Sequence, residues 1–212
     1  MAVITLSRQS GSEGNLITQL LCEKLGYRYF DKNLMARLAK EIGLSASQVI
    51  DASAEHHRAK GFLEKMFGNF QLPFGDPSGW TFTAQQDARE EMSVQHVRDL
   101  INAAYEQGNV VIVGRGGQIT LADKPDVLHI RVIAPVETRI SRWQAREGLT
   151  YEIAKERVKE RDQAHIDYVK RFFDADITDP ELYDLVINTE KLTPTAAVGL
   201  IVKALELLPA KT

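Results

Sequence analysis

The chain has 212 residues, 44% of them hydrophobic and 26% charged, and a net charge of -3; it can bury one ordinary core and is long for two. The slight acidic excess supplies no global positive field for a nucleic-acid backbone, which argues against that class of partner. The lone Cys22 has no second cysteine to pair with, and no run of about 18 apolar residues or basic-flanked leader occurs, so a reducing, cytoplasmic setting without export or membrane spanning is expected.

In chain order, Val3 to Leu6 is a β-branched run that reads as a strand, followed by a polar, glycine-containing turn. A helix over Asn15 to Leu25 follows, with Leu16, Leu20 and Leu21 at helical spacing and Gly26 as a left-handed terminator. Cys22, among leucines, reads as a packed helix position. Tyr27 to Phe30 is a second strand, ending at Asp31. Residues 32–57 keep a helical pattern with a break at Gly43. Residues 59–83 interleave Phe62, Phe67, Phe70, Phe74, Trp80 and Phe82 with Gly and Pro and hold no period. So apolar an insertion is unlike a solvated loop, and a homodimer contact is its favoured role over a fold across the site.

A long helix is expected over Thr83 to Gln107. Asn109 to Val113 and Val127 to Ile133 are apolar β-branched strands without alternation, the pattern of strands covered on both faces. Helices follow over Val136 to Arg146 and Tyr151 to Phe173, with Gly148 between them. A fifth strand over Tyr183 to Asn188 and a helix over Pro194 to Leu208 close the chain. Five strands separated by helices imply a single α/β domain over 1–212, with a parallel sheet, right-handed crossovers and ligands beyond the carboxyl ends of the strands.

The loop after the first strand, with Ser10, Gly11, Ser12, Glu13, Gly14 and Asn15, stands where backbone N–H groups and a helix N-terminus can hold the phosphates of ATP. GxxxxGK[ST] is not satisfied, because Asn15 and Leu16 occupy the lysine and hydroxyl positions. Arg8 is the candidate replacement for the missing cation, and a plain Ser/Gly turn is the alternative. His56 and His57 adjoin Glu55, but neighbours on a helix diverge by about 100°. They read as surface residues, His96, His129 and His165 as isolated packing residues, and no metal-ligand spacing is present.

Together ITLSRQSGSEG, EKLGYRYFDKNLMAR, VVIVGRGG, LHIRVIAPVETRISR and YDLVINT, in this order and spacing, resemble the cytidylate kinase-like family of P-loop proteins. The resemblance covers almost the whole chain. It implies a P-loop NTPase-type three-layer sandwich with strand order 2-3-1-4-5, a helical lid over 137–173, ATP and magnesium as cofactors, and phosphoryl transfer to a nucleoside monophosphate or similar small acceptor. Asp31 and Arg37 fall on acceptor-binding positions, with a helix cap and a solvated residue as their alternatives. Arg115 also carries over, whereas Gly116 replaces an aspartate of a DGRD-like turn. Arg142, Arg146, Arg157, Arg161 and Arg171 lie in the lid, and Arg157 and Arg161 are the candidates for closing on the reacting phosphoryl group. Asp162 follows Arg161 as in the family's RDxxDxxR pattern, but His165 and Tyr168 stand at its later positions. A salt-bridged surface helix is the alternative for this region, and a nucleotide-binding regulator with decayed kinase activity is the alternative for the chain.

Overall fold

The computed structural model describes residues 2–31, 34 and 94–209. Arg37, the helical pattern over 32–57, the aromatic insertion at 59–83 and the front of the long helix lie outside them.

The described elements are β1 (Val3–Arg8), α1 (Gly14–Leu25), β2 (Arg28–Phe30), α2 (Val94–Gln107), β3 (Val110–Val113), α3 (Gly117–Thr120), β4 (Val127–Ile133), α4 (Val136–Glu147), α5 (Tyr151–Phe173), a 3-10 turn (Pro180–Leu182), β5 (Leu185–Asn188) and α6 (Pro194–Glu206). The strands form one parallel sheet in the order β2-β3-β1-β4-β5, with Thr5 level with both Ile112 and His129.

Side-chain alternation divides the core into two layers around this sheet. Ile4, Leu6, Val111, Val113, Leu128, Ile130 and Val132 face α1 and α6, where Ile17, Leu21, Cys22, Ala197, Val198 and Ile201 meet them. Val3, Val110, Ile112 and Val127 face the other way, onto Val97, Leu100, Ile101 and Ala104 of α2. Both faces are apolar at β3, which is why its sequence does not alternate. At β1 and β4 the second face turns polar towards the carboxyl ends: Thr5, Ser7, His129 and Arg131 are all buried there.

Helices α4 and α5 form a hairpin with its own small core of Ile140, Trp143, Ala154 and Val158. Gly148 ends α4 in a left-handed conformation, and the Thr150 side chain caps α5 by accepting from the Ile153 N–H. Short α3 was not expected from the sequence, which promised only a turn after β3. Four residues are too few to show helical periodicity.

Candidate active site

The β1–α1 loop is pinned by its own backbone and by the hairpin. The Gln9 N–H donates to the Val132 carbonyl at 3.0 Å and the Ser12 N–H to the Gln9 carbonyl at 3.2 Å. Gly11 and Glu13 both have positive φ, at 80° and 63°; for Glu13 that conformation costs about 1–2 kcal/mol and turns the chain into α1. A Cβ on Gly11 would lie 2.8 Å from the Arg139 carbonyl oxygen, and one on Gly14 2.6 Å from Arg8 Cβ. The glycines are therefore required by close approach. The N–H groups of Gly11, Glu13 and Gly14 meet no acceptor among the described residues. Donors of this kind at a helix N-terminus attract an oxyanion.

The Ser10 N–H already has an acceptor. Asp162 of α5 takes it at 2.9 Å through Oδ1, while its Oδ2 pairs with Arg139. Arg139, only 6% exposed, donates in addition to the carbonyls of Ala134 and Ser10. Trp143 Nε1 donates to Ser10 Oγ at 3.0 Å. Arg142 donates to the Gly11 carbonyl and to Thr189, and lies 3.8 Å from the Glu13 carboxylate. The hairpin thus grips the loop through three α4 side chains and one α5 carboxylate.

Arg8 runs its aliphatic stem over Gly14, donates through Nε to Asn15 Oδ1 at 3.1 Å, and sends Nη1 towards Gly114. Asp31 is buried; its Oδ1 accepts from the Leu34 N–H at 3.0 Å, which is cap geometry, and Oδ2 accepts from Tyr29 O–H at 3.4 Å. Gly114, Arg115 and Gly116 are three successive left-handed residues, with φ of 71°, 57° and 74°. This turn places the Arg115 guanidinium 4.8 Å over the Tyr168 ring of α5. A Cβ on Gly116 would overlap the Phe173 ring, so side chain and helix cannot both occupy that space.

Arg157 and Arg161 lie on the hairpin's own surface. Arg157 donates to Glu147 Oε2 at 2.7 Å, and the two guanidinium groups sit 5.4 and 4.5 Å from the Trp143 ring, which Arg146 also covers. Burial and the neighbouring Arg157 lower the pKa of Arg161. The structure brings Ser10 to Asn15 and Arg8 together in one place, Arg115 beside them across Gly114, and Arg157 and Arg161 against Trp143.

Sequence reasoning passed over Arg131 and read His165 as an isolated packing residue. Arg131 is buried on β4, donating to Ser7 Oγ and to Tyr183 O–H, each at 3.2 Å. A single charge inside the apolar run LHIRVI was the available signal. His165 Nε2 points at Gly114, 4.0 Å from where a Cβ there would sit, and Arg8 Nη1 lies 3.1 Å from that point. Burial first, then the charges of Arg8 and Arg131 with a smaller one from Arg115, push His165 down to about 4, so the ring is neutral at pH 7.

Among known proteins, a cytidylate kinase from Ignicoccus hospitalis is 26% identical over 206 residues, covering 97% of this chain and 99% of that protein. One from Pyrococcus horikoshii is 28% identical over 207 residues, covering 96% of this chain and 88% of its own length. The structure of an uncharacterized protein from Eubacterium ventriosum shares the fold, with a TM-score of 0.65 at 20% identity over 98% of this chain and 99% of that one. The model of the Cytidylate kinase-like family matches residues 3–191, and with that match, the 2-3-1-4-5 parallel sheet and the loop after β1, the chain belongs to this family.

Proposed function

We propose that the protein transfers the terminal phosphoryl group of ATP to a nucleoside monophosphate or a similar small acceptor. The observation that carries this reading is the β1–α1 loop, where N–H groups at Gly11, Glu13 and Gly14 have no acceptor among the described residues and two glycines leave no room for a Cβ. Family membership and the relatives named cytidylate kinase support it. Residues Ser10 to Asn15 hold the donor phosphates, Arg8 supplies charge beside them, and Asp31, Arg37 and Arg115 place the acceptor. Catalysis is then positioning and charge neutralisation. Arg157 and Arg161 contribute only on leaving Trp143 and Glu147.

Magnesium enters this proposal only with the donor phosphates. Among the described residues no three metal-ligating side chains gather, and Asn15 and Leu16 offer no hydroxyl at the start of α1; no step is assigned to the ion. Cytosine is not favoured as the acceptor's base, because Phe173 fills the space in which a side chain at position 116 would read an exocyclic amine.

Asn15 and Leu16, together with the Asp162 carboxylate on the Ser10 N–H, favour a second reading as a nucleotide-binding regulator. Calorimetry with ATP and magnesium, followed by phosphoryl transfer from labelled ATP to a panel of nucleoside monophosphates, separates the two. Transfer supports the kinase, binding without transfer supports the regulator, and no binding at millimolar ATP removes both.

A further inference from the structure

Helix α5 touches both the loop after β1 and the turn after β3. It runs for 23 residues without a glycine or proline, the residues at which helices bend most readily. Asp162 and Phe173 lie within about 20° of each other around its axis and about 16 Å apart along it, with fully buried Val169 between them on the same side. At one end the Asp162 carboxylate takes the Ser10 N–H at 2.9 Å and pairs with Arg139. At the other end the Phe173 ring lies on Gly116, where a Cβ would come within 2.3 Å of its Cζ, and Tyr168 carries the Arg115 guanidinium at 4.8 Å. Arg98 of α2 covers the Phe173 ring at 5.3 Å, and the Tyr168 and Phe173 rings are 6.2 Å apart, so this end is seated as one cluster.

We infer that α5 is a shared plug: when seated, it withholds the Ser10 N–H from an incoming phosphate through Asp162 and covers Gly116 and Arg115 through Phe173 and Tyr168, and an anion in the loop unseats both ends together. That the uncovered turn then receives a phosphoryl acceptor rests on the kinase reading above; the coupling between the two ends does not.

The two ends differ in chemistry. A phosphate arriving at the β1–α1 loop meets a carboxylate of its own sign on a donor it would use, and like charges at hydrogen-bond range repel strongly where water is scarce. Arg139 offsets the loss of Asp162, because it stays beside Ser10 through the Ser10 carbonyl and turns its charge to the newcomer. A carboxylate pushed off the loop tilts the helix that bears it, since no breaker lies between positions 162 and 173. The aromatic end has no charge conflict and only fills space, so it follows the tilt. By reciprocity, a ligand that displaces Phe173 from Gly116 raises the affinity of the loop for phosphates by the same factor.

Pyrophosphate, which brings phosphates without a nucleoside, is titrated into the whole protein and followed by NMR. The Gly11 and Gly14 amides report occupancy of the loop, and Gly116 reports the Phe173 ring through its ring-current shift, assigned with Phe173→Leu. Saturating pyrophosphate is expected to move Gly116 at least about halfway to its position in Phe173→Leu. Phe173→Leu, although remote from the loop, is expected to bind pyrophosphate about threefold more tightly, and that gain is expected to shrink when Asp162→Asn has already loosened the helix. Loop amides that move while Gly116 stays, or equal affinities in Phe173→Leu and the unaltered protein, overturn the plug and leave the loop reading intact. Binding that appears only in Asp162→Asn supports the plug. Loop amides unmoved by millimolar pyrophosphate in both proteins remove the loop reading and the plug with it.

Discussion

Glycine 116 and glycine 26 both have positive φ, yet they differ in what surrounds them. A Cβ on Gly26 meets nothing within 4 Å, whereas one on Gly116 overlaps Phe173. Gly26→Ala should therefore cost only the left-handed penalty, about 1 kcal/mol, and Gly116→Ala about 2–4 kcal/mol as the ring is expelled, both read from urea unfolding midpoints. Equal losses would mean that Phe173 yields freely. Cys22, 3% exposed and pushed up to about 12 by burial, should react with a thiol reagent only at the rate of opening of the α1 layer. At this scale the sequence was informative about identity and silent about geometry. The glycines and Arg8 could be named from spacing, but Arg131 and His165 gain meaning only from residues more than 30 positions away, and the lone charge in LHIRVI marked Arg131 without saying what it meets.

The α4–α5 hairpin depends on Trp143, which is 3% exposed, is sandwiched by three arginines and bonds Ser10. Trp143→Ala should destabilise the protein by about 3–5 kcal/mol, or, if the hairpin melts alone, appear as early loss of its amide protection in hydrogen exchange. Asp162 joins the same element to the loop through an N–H that a nucleotide phosphate would use. Asp162→Asn keeps an acceptor there but gives up its charge, worth ~1 kcal/mol. ATP affinity should rise about fivefold by calorimetry; a fall would mean that Asp162 organises the loop and does not compete for it. Most element positions were legible in the sequence because β-branched runs mark the strands and Gly26, Gly148 and Pro194 mark helix ends. The grip of the hairpin on the loop was not, since Arg139 and Arg142 look like ordinary solvated helix residues until the crossover places them beside Gly11.

For the molecule as a whole, layering follows from a chain that alternates strand and helix, strand order was implied by the family resemblance alone, and burial on both faces of β3 accounts for its unbroken apolar run. Acid sensitivity is a property at this scale too. His165 and His129 both have pKa values lowered chiefly by burial. Between about 4 and about 6.5 the unfolded chain binds a proton that the folded His165 refuses, so stability is whole above this window and falls as pH drops through it. Lowering the pH from 7 to 5 should remove about 1 kcal/mol through His165 after allowing for partial solvent access, and His165→Gln should flatten that part of the urea midpoint's pH profile. The hairpin packs on its own four-residue core and meets the β1–α1 loop through polar bonds. Heat and salt should therefore act on it differently: melting the Trp143 layer would free the hairpin, whereas added salt, which screens buried pairs only weakly, should leave Arg139 and Asp162 joined.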